Sequence, residues 1–238
     1  MTRFLAVFKK EFSSYFSSPI AYFYLTVYVG LTNWLFFKTF FIGGQDTMRS
    51  YFSLLPILFL FFVPAVSMRL WAEEKKSGTI ELLFTLPLKV SEVVMGKFLA
   101  AYAFLCVSFV LSVSVPISLA IAGDPEWGPI IGGYAGAVLM GGAYLAIGMF
   151  VSHLTENQII AFIGGVVVTF GFYIIGSPFV TFSLPGFMVP VFYTLGLANH
   201  YESISRGVLD SRDIIYYLSV IGVFLFLNAY AIENRKWR

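Results

Sequence analysis

Six stretches of roughly 20 residues, near 21–42, 52–71, 98–122, 130–152, 158–178 and 214–232, are almost continuously apolar. A helix of about that length crosses the hydrocarbon core of a bilayer, and there only a helix or a closed barrel satisfies its own backbone. Barrel strands alternate apolar with polar residues; these runs do not, so helices are expected. Composition agrees. Only 12% of residues are charged and 58% are hydrophobic, against roughly 25% charged in a soluble domain. Too little polar surface exists to cover a water-soluble core. The expected fold class is an all-α polytopic membrane protein, residues 1–238 forming one transmembrane domain.

The basic residues orient it. With the N-terminus inside, Arg3, Lys9, Lys10, Arg69, Lys75, Lys76, Lys89, Lys97, Arg235, Lys236 and Arg238 lie on the cytosolic side. Arg49, Arg206 and Arg212 lie outside, and Lys38 falls within the first span. This asymmetry predicts a multi-pass membrane protein with both termini cytosolic. Nothing at the start of the chain resembles a cleaved signal peptide.

Residues 1–18 read as an amphipathic helix, with Phe4, Leu5, Phe8, Phe12, Tyr15 and Phe16 set against Lys9, Lys10, Ser13 and Ser14. Such a helix lies in the membrane interface, as a lipid anchor or as a brace for the bundle. Pro19 ends it. Pro56 and Pro64 can kink the second span, and Pro116 falls near the outer end of the third. The fourth and fifth spans are rich in glycine. A pair such as Gly132 and Gly136 lets helices approach closely, within one subunit or between subunits. The outer segment 179–213 is too apolar for a plain loop and too broken by Pro185, Gly186 and Pro190 for a span. Short helices, re-entrant into the outer leaflet, are expected there.

Catalytic chemistry is scarce. No GxxxxGK[ST] phosphate loop is present, so no ATP site of that type is expected, nor enzyme activity, nor any cofactor or metal bound by this chain. His153 and His200 fall on opposite sides of the membrane and cannot share a metal; His153 reads as a solvated loop residue, and His200 as a partner for neighbours such as Glu202. The single cysteine, Cys106, reads as a buried hydrophobe. All thirteen acids can be placed outside the spans, which disfavours a proton- or sodium-driven carrier. Asn33 and Asn228 are assigned to interhelical hydrogen bonds.

The densest charge cluster opens EEKKSGTIELLFTLP, residues 73–87. The second span is expected to continue as a helix through Glu73 and Glu74 and to break at Ser77-Gly78. Thr79 then caps a short helix with Glu81 in its first turn. Ile80, Leu83 and Phe84 form one face of it and Pro87 ends it. Ser91 caps the next helix. The elbow, 72–97, is either a solvated connector or a docking element.

This stretch, followed by Val93-Val94-Met95-Gly96-Lys97-Phe98, resembles the cytosolic segment of type-2 ATP-binding-cassette permeases, E-(R/K)-x-x-G-T-x-E-x-L-x-x-x-P and then G-K. Glu74, Gly78, Thr79, Glu81, Leu83, Pro87, Gly96 and Lys97 match that pattern. The interfacial helix and six-span layout are similar too. The resemblance implies that 79–86 is a coupling helix docked on a cytosolic ATPase dimer. Glu73, Glu74, Gly78, Thr79, Ile80, Glu81, Leu83, Phe84 and Pro87 would form that interface. ATP and Mg would be bound by the ATPase, and a second permease chain, identical or related, would complete the assembly. Residues 200–218, HYESISRGVLDSRDIIYYL, are similar to the gliding-motility branch. The implied function is export or movement of a substrate, with an outer gate or partner contact at His200, Glu202, Arg206 and Asp210. A periplasmic or accessory membrane protein is a further implied partner; nucleic acid is not. The alternatives are a mechanotransmitter that moves no cargo and a stand-alone channel or carrier.

Overall fold

A computed structural model describes residues 3–43, 48–81, 88–123, 125–208 and 210–235. Among them the regular structure is all helical. The order is α1 (Arg3–Phe16), α2 (Pro19–Gly43), α3 (Arg49–Ser67), α4 (Arg69–Lys76), α5 (Val90–Ser112), α6 (Ser114–Ala122), α7 (Trp127–Leu154), α8 (Gln158–Ile174), α9 (Pro178–Thr181), α10 (Val189–Leu195), α11 (Leu197–Ser205) and α12 (Ser211–Arg235). Five helical stretches among the described residues are long and apolar enough to cross a membrane: Pro19–Lys38, Arg49–Lys76, Val90–Ile121, Trp127–Leu154 and Ser211–Asn234. The fifth apolar run is shorter than expected. Its helix, Gln158–Ile174, has 17 residues, or about 25 Å at 1.5 Å per residue. It stops where the outer segment packs against its end: Asn199 Nδ2 donates to the carbonyl oxygen of Gly176 at 3.0 Å.

The centre of the bundle is α7, against which α3, α5, α8, α11 and α12 all pack. Its glycines allow this. At Gly132 an added Cβ would lie 2.6 Å from the backbone oxygen of Ile204, so only glycine admits α11 that closely. Gly136 faces Ile204 and Tyr201 in the same way. These small residues therefore serve packing within one chain.

Helices α5 and α6 are one span interrupted at Val113. Pro116 has no N–H to give to the carbonyl of Ser112, four residues earlier. The hydroxyl of Tyr134 on α7 fills the place, donating to that oxygen at 3.0 Å. Asn33 ties the first span to this bend, since Ser114 Oγ donates to its Oδ1 at 3.3 Å. Asn228 departs from expectation. Its amide is fully buried, with no hydrogen-bond partner among the described residues.

One end of the bundle, here termed basal, carries α1, α4 and the starts of α5 and α8. The distal end carries α9, α10 and α11. The distal segment is indeed helical, and side chains supply what its irregular backbone needs. Tyr217 and Tyr216 hydroxyls donate to the carbonyls of Leu197 and Leu195, each at 2.6 Å. Pro19 is the first residue of α2, a position where its missing N–H costs nothing.

Candidate functional site: the basal elbow

Helix α1 is a brace. Val7 and Tyr15 are buried, and Glu11 lies on the same face between them. That face rests on α5, where Gly96 accommodates Val7; a Cβ at position 96 would lie 2.8 Å from Val7 Cγ1. Tyr15 stacks on Phe104 at 4.8 Å, while Lys9 and Lys10 remain exposed.

The next residue of α5, Lys97, is 1% exposed. A buried ammonium needs compensating charge. Glu74 Oε1 of α4 lies 2.7 Å from Lys97 Nζ and Glu11 Oε1 of α1 lies 3.1 Å away. The ammonium also stands 5.2 Å from the ring of buried Trp71. One cation therefore joins three helices at the point where the chain leaves the bundle.

The other side of α4 is held by α7. Ser152 Oγ donates to the Met68 carbonyl at 2.7 Å and accepts from the N–H groups of Trp71 and Ala72, both at 3.2 Å. A side chain wedged into the i→i−4 ladder bends a helix, and the second span breaks here, between α3 and α4. Lys75 Nζ donates to the carbonyl of His153. His153 itself is buried, 5% exposed, with its ring edge-on to Trp71. The solvated loop histidine expected from the sequence is thus corrected, because α4 folds down over the end of α7.

Beyond α4 the chain turns at Gly78, whose φ of +71° suits glycine. Ser77 Oγ donates to Glu73 O at 2.9 Å, closing the end of α4. Thr79 faces back toward this turn, with Oγ1 2.9 Å from Ser77 Oγ, in place of the expected forward cap. Residues 79–81 are helical. Ile80 is buried in the core cluster. Glu73, Gly78, Thr79 and Glu81 are exposed, and Glu74 is half-buried. Leu83, Phe84 and Pro87 lie outside the described residues, as does the basic end of the chain from 236 on. Helix α5 begins at Val90, two residues earlier than a Ser91 cap would give, and Glu92 Oε2 accepts the N–H of Lys89 at 3.0 Å.

At the distal end the four expected residues do not form one constellation. His200 pairs with Asp213, not Glu202: Nδ1 to Oδ1 is 2.6 Å, Nε2 to Thr194 O is 2.9 Å, and the ring stacks on Tyr216. Glu202 pairs with Arg206, one turn along α11. Asp210 Oδ1 accepts the N–H of Arg212 at 2.9 Å, at the start of α12. Three polar groups are local structure, and His200 joins α10, α11 and α12. No set of three or more His, Cys, Asp or Glu side chains that could hold a metal occurs among the described residues.

Reasoning from sequence missed Glu11 and Ser152, while Tyr15 was placed on the apolar face of α1. Glu11 carried a signal, an acid on the stripe of Val7 and Tyr15 at i, i+4 and i+8. Ser152 carried none, because its partner is 81 residues away.

A bundle of apolar spans with a charged, braced elbow at one end is the architecture of a multi-pass membrane permease. The model of the ABC-2 family transporter protein matches residues 6–208. The chain belongs to that family and is the membrane-spanning component of an ABC transporter. Compared with the curated proteins, it matches none.

Proposed function

We propose that this chain is a permease subunit in which ATP hydrolysis by a separate cytosolic ATPase dimer drives export or movement of a substrate across the bacterial inner membrane. Six crossings, with both termini cytosolic, are the reading the geometry supports best. Helix α8 runs from the basal to the distal end between α7 and the distal segment. Phe224 of α12 meets Phe150 near the basal end of α7, which favours a basal end for α12 and supports an even number of traversals. The turn 175–177 and α9 supply the length that α8 lacks.

The observation that carries the coupling role is the fastening of α4. Ser152 and Lys97 tie it to α7, α5 and α1, so a displacement of residues 73–81 is passed to the spans. A floppy connector would absorb it. The exposed contact is formed by Glu73, Thr79 and Glu81, with Leu83, Phe84 and Pro87 completing it on the family pattern, and Glu74 serves as the internal anchor. ATP and Mg belong to the ATPase, and a second permease chain completes the assembly. Differential contact with the ATPase in its open and closed states supplies the driving free energy. The test is co-reconstitution with the ATPase. Glu81→Ala and Leu83→Asp should abolish stimulation of ATP hydrolysis while the bundle stays folded. Unchanged stimulation and complex formation would falsify the coupling role.

A second reading, a mechanotransmitter of the gliding-motility type, is favoured by one feature. Phe179, Phe182 and Phe187 on the distal segment are largely exposed and offer a contact for a periplasmic or accessory membrane partner. ATP-dependent movement of a cargo in reconstituted vesicles would exclude it.

A further inference from the structure

A groove of about 460 Å³ opens at the basal end between α1, α2, α4 and the first turn of α8. Its lining combines apolar Ile20, Tyr24 and Phe104 with polar Arg69, Glu73 and Tyr15. Most charge nearby is already compensated. Lys97 is held by Glu74 and Glu11, and Lys10 lies 3.6 Å from Glu11. Three groups are not. The guanidinium of Arg69 stands 4.2 Å over the Tyr15 ring, with no carboxylate partner among the described residues. Glu73, one turn further along α4, makes no ion pair among them either. The Tyr15 hydroxyl is buried, and among the described residues nothing accepts its O–H, since the neighbouring Arg69 guanidinium can only donate. Burial pushes its phenol well above the ordinary range, so it stays an O–H donor.

A buried donor left empty costs free energy unless something fills it. Here an orphan donor and an unpaired cation sit beside an unpaired acid, and apolar residues line the same groove. A planar guanidinium and a hydroxyl suit a phosphate; a carboxylate one turn away suits an ammonium. We propose that this groove binds a phospholipid with a phosphate–amine headgroup. Arg69 and Tyr15 hold the phosphate, Glu73 holds the amine, and Ile20, Tyr24 and Phe104 cover part of an acyl chain. Glu73 also belongs to the proposed ATPase contact, so lipid binding is read on the permease chain without the ATPase, where a failure of coupling does not touch it.

The test is native mass spectrometry of the purified full chain in detergent, titrated with phosphatidylethanolamine, phosphatidylglycerol and phosphatidylcholine of matched chains. Free phosphoethanolamine serves as a headgroup-only competitor. Phosphatidylethanolamine should bind about tenfold more tightly than the other two, the value of one charge-assisted contact. Glu73→Gln should remove that preference and leave phosphatidylglycerol binding unchanged. Arg69→Gln should weaken every phospholipid. Tyr15→Phe keeps the ring beneath Arg69 and loses only the donor, so its folding is protected and its binding should still fall severalfold. Equal binding of the three lipids by the native chain overturns the proposal. So does unchanged selectivity in Glu73→Gln, or displacement by phosphoethanolamine at the lipid's own concentration, which would place a soluble ligand there.

Discussion

Val7 and Gly96 meet where α1 crosses α5, and the fit leaves no room for a further carbon: a Cβ on residue 96 would lie 2.8 Å from Val7 Cγ1. Gly96→Ala should therefore push α1 off its seat and destabilise the chain by about 1–3 kcal/mol, the usual cost of overpacking. Val7→Ala in the same chain should recover most of that loss. Thermal unfolding of the four variants in one detergent gives the coupling between the two positions. An additive result would show that α1 does not rest on this contact.

Lys97 is the most demanding group at the base. Removing one partner of a buried ion pair costs about 3–5 kcal/mol, because the remaining charge is stranded. Lys97→Met strands two carboxylates, Glu11 and Glu74; Glu74→Gln strands none, since Glu11 remains beside the ammonium. Lys97→Met should therefore lower the unfolding midpoint more than Glu74→Gln does. The reverse order would mean that the buried ammonium depends on Glu74 more than the two carboxylates depend on the ammonium.

Ser152 makes a local prediction. With Ser152→Ala the wedge is gone and Ala72 N–H can turn to the Met68 carbonyl. Hydrogen exchange at Trp71 and Ala72 should change, with an effect on global stability of about 1 kcal/mol. In the assembled transporter the same variant should weaken ATPase stimulation, since α4 loses a tie to α7. Native exchange at both amides would remove the wedge from the account.

Pro116 and Tyr134 form a compensating pair. Tyr134→Phe leaves the Ser112 carbonyl without its donor and should cost about 1–3 kcal/mol. Pro116→Ala restores an N–H four residues on, so Tyr134→Phe should cost less in that background. A double-mutant cycle on unfolding free energy reads the difference. A cost that does not depend on residue 116 would show that Tyr134 acts through packing alone.

The spans were legible because their signal is local. A run of 20 apolar residues needs no knowledge of its neighbours, and five runs gave helices of membrane-crossing length. The break after α4 was legible for the same reason: the charges of 73–76 and Gly78 lie next to one another in sequence. What could not be read was which face turns inward. Ile80 is apolar and next to exposed charges, and its burial in the core cluster is not readable from that pattern. His153 looked solvated because it sits in a polar turn, and the fold of α4 onto α7 covers it. The pairing of His200 with Asp213, not Glu202, depends on how α11 meets α12, which no spacing within either helix encodes.

The burial of α7 has a mechanical consequence. Its 28 residues make a rod of about 42 Å. The rod is gripped near one end by the elbow, through Ser152, and near the other by the distal segment, at Gly132 and Gly136. Of the five long spans it has the largest buried share, 78% of its apolar window against 17% for α12. A thrust delivered to α4 thus has a direct line to α11 through protein, shielded from the compliance of the lipid around it.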